Sequence, residues 1–465
     1  MNNLKRFIKA ELITTSPLKL GSGGEDSTNS DLLRSSDGMP FIPATSLAGV
    51  LRHYVLKRLI IQEKHVAHSL TIDPNETVDY WFGYTEYEKD DGADSRVIIY
   101  DAFDEEDYSS NQQSNPTWVI ERRDGVKLNE FKTVDGNSLY DYQVLSTGVT
   151  FILRIEINFE GAANQLPNEK VASLDRLTDA ILEGLNSGDI RIGGKTTRGF
   201  GTFELQSVLM RDIDLGSLHG IKDYIKFDWR RFKGTVYDIS YLNKSYLYET
   251  PLVASFNIPS FIMIRDYATL DSVFDGDNTE NESQDDDIGF IDSKMLNTKV
   301  FASDTYEAAS QPVIPGTSWA GLFRHHITNV MLRAKYDVIQ TSGFVNNVFG
   351  YVDTVSKERT KSNIEFSESM ITNSPQQLNR TRTAIDRFTG GASETKLFTT
   401  QSSYGGEIEL KIRWRKSLSE ADKTLLVSLL NITINDLANG FVAIGGMTSV
   451  GGGILEPIKE EESNE

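Results

Sequence analysis

The chain has 465 residues, 39% hydrophobic and 25% charged, an ordinary globular composition that is too long for one typical core, so two domains are expected. It holds no run of about eighteen apolar residues, which excludes a membrane helix, and its N-terminal MNNLKRFIKAEL lacks the apolar segment of a signal peptide. Cysteine is absent, excluding disulfides and thiolate chemistry and fitting a cytoplasmic protein, and the segments 86–107, 271–292 and 456–465, at −8, −9 and −4, hold all of the net charge of −20, so the remainder is near neutral and free to be locally basic.

In chain order, residues 6–21 (RFIKAELITTSPLKLG) alternate as a strand. Ser46 is placed to cap a helix over about 47–61, with Leu47, Val50, Leu51, Tyr54 and Val55 as its apolar stripe. On that helix Arg52 could grip a phosphate and His53 could act as a general base; a solvated helix face is the plain alternative. His65 and His68 have no carboxylate to complete a metal site. The segment TFILRIEINF near 150–159 reads as a strand, and 169–186 as a helix stopping at Gly188. The loop GGKTTRGFG (193–201) then leads into the strand GTFEL. A phosphate-hydrolase loop ending at Gly194-Lys195-Thr196 would need glycine where Asp189 stands, and a helix after it, so that reading fails. What remains is a run of backbone amides from Gly193 to Gly199 flanked by Lys195 and Arg198, suited to a sugar-phosphate backbone or simply a tight turn.

The chain then repeats itself. PFIPATSLAGVLRHYV (40–55) returns as PVIPGTSWAGLFRHHI (312–327), so Arg324 and His325 match Arg52 and His53. Phe82-Gly83 returns as Phe349-Gly350, a strand follows at 406–414 and a helix from about 419. IGGKTTRGFGTFEL returns as IGGMTSVGGGILEP, where Gly445, Gly446, Thr448 and Ser449 offer amides and hydroxyls but no cation. Collinear matches mean a tandem duplication. The expected fold is α+β, two tandem ferredoxin-like domains at 1–214 and 215–465, each with long insertions. The aspartates at 285–287 lack the glycine and terminal glutamate of a calcium loop.

Together these motifs resemble the RAMP superfamily, and most closely the backbone subunits of type III CRISPR effector complexes. The resemblance rests on Ile42 to Arg52, Ile314 to Arg324, the Phe-Gly pairs, the terminal glycine loops, and RTRTAIDRFTGGASETKLF (380–398), similar to the family's thumb hairpin. It implies RNA-recognition-motif-like cores with thumb hairpins (first copy weakly from Arg123 to Tyr140), and contact of Arg382 with RNA. It also implies guide RNA, target RNA and other CRISPR effector subunits as partners, in a ribonucleoprotein of antiviral defence. A chain with two copies would span two adjacent filament positions. Family members that cut target RNA use an aspartate in the first loop with a divalent cation, Mg2+ here. The best-matching slot holds Asn29, leaving Asp31, Asp304 and Asp26 as candidates for such an endonuclease. Competing readings are a stand-alone RAMP endoribonuclease that processes precursor guide RNA through His53, and a protein scaffold without RNA.

Overall fold

The structure, a computed structural model, describes residues 3–24, 28–65, 73–86, 91–104, 118–126, 139–160, 167–266, 291–301, 308–353 and 358–458, together with Gly136 and Ser356. Asp26, Asp304 and His68 lie outside the described residues.

Strand β1 (Asn3–Thr14) buries Ile8, Ala10 and Leu12 on one face, as its alternation dictates. Helices α1 (Ala44–His65) and α2 (Pro74–Phe82) follow, then strand β2 (Val97–Ile99). A hairpin of β3 (Ile120–Gly125) and β4 (Tyr140–Leu145), strand β5 (Thr150–Glu160), helix α3 (Pro167–Asn186) and strand β6 (Phe203–Asp214) complete the first set. A short helix α4 (Leu218–Ile225) and edge strand β7 (Thr235–Val236) come next. The second set comprises β8 (Leu252–Asn257), β9 (Asn297–Phe301), helices α5 (Gly316–Arg333) and α6 (Val338–Phe349), and β10 (Ile364–Phe366). The hairpin β11 (Gln376–Ile385) and β12 (Ala392–Tyr404), strand β13 (Glu407–Trp414), helix α7 (Glu420–Ala438) and β14 (Glu456–Pro457) end it.

The first sheet runs β2-β5-β1-β6-β7 and the second β10-β13-β8-β14, every pair antiparallel. Corresponding strands therefore hold corresponding places. In both sets the second helix ends at a glycine of nearly identical φ, 72° at Gly83 and 73° at Gly350, which accounts for the repeated Phe-Gly pair.

Two buried apolar clusters back the sheets, one running from Leu4 to Tyr248, the other from Phe256 to Leu455. The stretch 218–248 packs with the first. Phe227 stacks on Phe7 with ring centroids 3.9 Å apart, and the Asp189 carboxylate accepts the N–H groups of Tyr246 and Leu247 at 2.7 and 3.0 Å. The passage between cores thus comes at 249–251, beyond the 214/215 line drawn from the sequence. The reason is physical: β1 has apolar Phe7 on the face away from α3, and the aromatic residues after α4 cover it.

The two sets meet along a buried polar seam. Glu365 accepts from Arg191 at 3.0 Å, from Arg413 at 2.8 Å, and from the Tyr248 hydroxyl. Arg123 of β3 donates to Glu368 and to the Thr298 hydroxyl, both at 2.9 Å, while Glu121 accepts the Lys299 N–H at 2.6 Å. Burial alone would lower the Arg123 pKa, but Glu368 and Glu121 raise it above the usual arginine value. The described base of the first hairpin is therefore anchored by Arg123, Tyr142 and Val144. The second hairpin stands free at its end, with Phe388 99% exposed.

Candidate nucleic-acid interface

The two glycine loops share one backbone. In the first, Lys195 is left-handed at φ 56°, a tight turn spans Thr196–Arg198, and the Gly194 N–H donates to Lys19 O at 2.8 Å. In the second, Met447 is left-handed at φ 61°, the turn spans Thr448–Val450, and the Gly446 N–H donates to Met263 O at 2.7 Å. Gly193 and Gly445 carry φ of 89° and 87°. Each loop is closed by a bond from Ile192 to Gly201 O at 3.1 Å or from Ile444 to Gly453 O at 3.0 Å. A left-handed residue with a Cβ is uncommon, so finding one at the same place twice ties the repeated sequence to a repeated shape.

Their chemistry differs. Lys195 Nζ lies 3.8 Å from the ring centre of Tyr142 and donates to the Tyr140 hydroxyl at 2.9 Å. Lys19 Nζ stands 4.5 Å from the same Tyr142 ring. Burial, then Arg198 and Arg123, lowers Lys195 to about 8, and burial together with Lys195 lowers Lys19. Arg198 is lowered by burial and then by Arg324, and its buried Nη1 has no hydrogen-bond partner among the described residues. Among the described residues, the charges acting on Lys195 are the cations Arg198 and Arg123, and no acid offsets them. This crowd of cations is short of an anion, and a phosphate chain is the group that would relieve it. In the second loop Met447 and Val450 occupy the places of Lys195 and Arg198, so the charge belongs to the first loop alone.

The first loop also touches the second repeat. Gly199, at φ 95°, lies against the backbone of 366–368, and Thr196 O accepts Arg191 Nη1 at 2.6 Å. A Cβ on Gly316, the first residue of α5, would stand 2.3 Å from Arg198 O, so only glycine permits this approach.

Arg52 and Arg324 have a use that their helical spacing did not reveal. Arg52 donates to Gly83 O and Asp79, and Arg324 donates to Gly350 O and Asn346 Oδ1, both at 2.8 Å. Each guanidinium thus ties the carbonyl end of the following helix, where unpaired acceptors and the helix dipole favour a cation. Phosphate could reach only the remaining donors. Burial, followed by Lys57, Arg415 and Lys361, lowers the His53 pKa, which keeps the imidazole neutral near pH 7. His325 Nε2 lies 3.0 Å from Asn329 Nδ2. Thr448 and Ser449 form the second loop's turn, and Arg382 sits on β11 opposite Phe398, away from the first loop's cations in sequence and strand.

Asp31 Oδ1 accepts both the N–H and the hydroxyl of Thr28, at 2.9 and 2.8 Å. Asn29 exchanges two bonds with Asp141 of β4, N–H to Oδ1 at 2.8 Å and Asp141 N–H to Asn29 Oδ1 at 3.0 Å. Among the described residues no three His, Asp or Glu side chains are grouped to hold a metal ion. Mg2+ is commonly held by one or two carboxylates together with substrate phosphates, so Asp31 could supply one ligand beside a bound RNA, and no chemical step is derived through the ion. Lys19, Tyr140 and Tyr142 were not singled out from the sequence; a lysine in an alternating strand and two tyrosines in a hairpin gain meaning only when Lys195 joins them.

With this geometry in place, the comparison with known families is decisive. The RAMP superfamily profile matches residues 11–204 and 299–456, in two regions that together make up most of the chain. The chain belongs to the RAMP superfamily. Membership gives this RAMP protein a CRISPR-associated, RNA-binding character, with other CRISPR subunits as partners. No curated protein matches it. No helix among its described residues is long and apolar enough to cross a membrane.

Proposed function

We propose that this RAMP protein is two tandem ferredoxin-like domains that hold guide RNA as a backbone subunit of a type III CRISPR ribonucleoprotein, spanning two adjacent positions. The observation that carries this reading is the cation cluster of Lys19, Lys195 and Arg198, with no acid paired to it among the described residues and set where the first loop meets the start of α5. Tyr140, half-exposed beside Lys195, gives that cluster an aromatic ring against which a base can stack. The matching strand orders and loop backbones support two equivalent units, and the hairpin 376–404 supports a thumb. The test is binding of a labelled guide RNA to the full chain across a salt series. Replacing Lys19, Lys195 and Arg198 by alanine should flatten the log–log slope by about 0.7 for each phosphate that is no longer neutralised. An unchanged slope would place the RNA elsewhere.

A second reading has one observation in its favour. The neutral His53 imidazole among Lys57, Lys361 and Arg415 could take a 2′-hydroxyl proton while the cations steady the phosphate, as processing of precursor guide RNA requires. Metal-independent cleavage of a repeat RNA, abolished by His53→Ala, would favour this reading over a purely architectural one.

A further inference from the structure

Helix α4 lies in 205–298, between the two regions that match the family, and it has two opposed faces. One face seats on the first sheet through Gly220, where a Cβ would stand 1.8 Å from Asp214 O, so the helix lies flush on the end of β6. The opposite face carries Leu218, Ile221 and Ile225 at i, i+3 and i+7, exposed at 79%, 41% and 76%. Such an aliphatic row left in water is unfavourable unless something covers it.

What surrounds the row identifies the cover. Lys222, Lys226, Arg230, Arg231 and Lys233 are all exposed, and none forms an ion pair among the described residues, whereas Asp223 is paired with Arg211 at 3.0 Å. Residues 218–233 carry a net +3 in a chain of −20. RNA is disfavoured, because the aromatic rings that would stack bases, Tyr224, Phe227 and Trp229, pack towards Phe7, and the two most exposed side chains of the helix, Leu218 and Ile225, are aliphatic. An anionic membrane is disfavoured by the two-turn length and by the overall negative charge. We infer that α4 and the basic segment after it form a docking surface for a protein whose contact face has an apolar centre and an acidic rim. An apolar core with a complementary charged rim is the ordinary anatomy of a specific protein interface. This surface is separate from the glycine-loop cations and does not depend on which RNA they hold.

The test uses the full chain, with p-benzoylphenylalanine in place of Ile225, made in the cells that produce it and purified with its associated components. Irradiation should yield an adduct to a different protein, with the crosslinked peptide rich in Asp and Glu. The same photo-probe in a chain carrying Lys222→Glu and Lys226→Glu should give at least tenfold less adduct, as should one carrying Leu218→Asp, while circular dichroism stays unchanged. The probe placed instead at Ile432, also exposed but on the second repeat, should give no such adduct. An adduct to RNA, to lipid, to a second copy of the chain or to a protein segment without acids would overturn the inference. So would no adduct at all, or one insensitive to charge reversal.

Discussion

Removing Glu365 should unlock the two repeats from each other. This carboxylate is 2% exposed and is the shared acceptor for Arg191 from the first repeat, Arg413 from the second, and Tyr248. Burial penalises its charge, yet Arg191 and Arg413 outweigh that and hold its pKa below the usual glutamate value. Glu365→Ala strands two buried guanidinium groups, and breaking a buried pair in this way costs about 3–5 kcal/mol. Adding Arg191→Leu removes one stranded charge, so the double variant should recover part of the loss, with a coupling of about 1–3 kcal/mol. Urea unfolding followed by tryptophan fluorescence is the assay, and Glu365→Ala should also split one transition into two. Because the folded pKa is depressed, the stabilisation is full above the unfolded value of about 4.3 and is lost only as pH falls below it. A loss under about 1 kcal/mol, or a cycle without coupling, would show that the seam is not what joins the repeats.

Gly316→Ala should destabilise by about 1–3 kcal/mol, since its methyl would meet Arg198 O and Phe366 O at 2.3 Å; urea midpoints that match wild type would contradict this. Lys195 should make RNA affinity fall as pH rises from 7 to 9, because its charge is lost near 8, and Lys195→Met should weaken binding at pH 7 and flatten the profile. The same depressed pKa means that its share of folding stability increases from pH 8 towards the ordinary lysine value of about 10.4. For target RNA cutting with Mg2+ by the assembled complex, Asp31→Asn should leave every product band in place, because an amide oxygen still accepts from Thr28. Loss of a band with Asp31→Asn would instead mark this carboxylate as a metal ligand, and the same assay on Asp304→Ala tests the second repeat.

The repeated motifs were legible because each encodes a local shape. Pro-Gly/Ala-Thr-Ser opens a helix, Phe-Gly ends one with a positive φ, and Ile-Gly-Gly with its left-handed neighbour builds the loop. Period-2 and period-3.6 patterns marked the strands and long helices for the same reason. What stayed hidden depends on partners far along the chain. Arg123 looks like an exposed hairpin cation, but its carboxylate partner Glu368 lies 245 residues away. Arg52 and Arg324 show at the sequence level only that a cation sits on a helix, and the carbonyl each binds belongs to another element. The membership of 218–248 in the first core was hidden too, because nothing local says that Phe227 covers Phe7.

The differences between the repeats matter as much as their likeness. Had duplication merely preserved a sequence, the contact residues would match as well as the backbone does. They do not: Lys195 and Arg198 become Met447 and Val450, and Gly316 stands where the first repeat has Ala44. Each change agrees with one direction of contact. The first loop is turned towards the second repeat, and the receiving helix start is the one that lacks a Cβ. On the first repeat the Ala44 N–H is instead taken by Asp101 at 2.7 Å, and its methyl would occupy the seat a second such loop needs. The second loop, with Val450 55% and nearby Phe441 80% exposed, is left facing outward without cations. The two copies thus differ in what their loops carry: the first has the cations and packs on its own chain, and the second exposes apolar side chains.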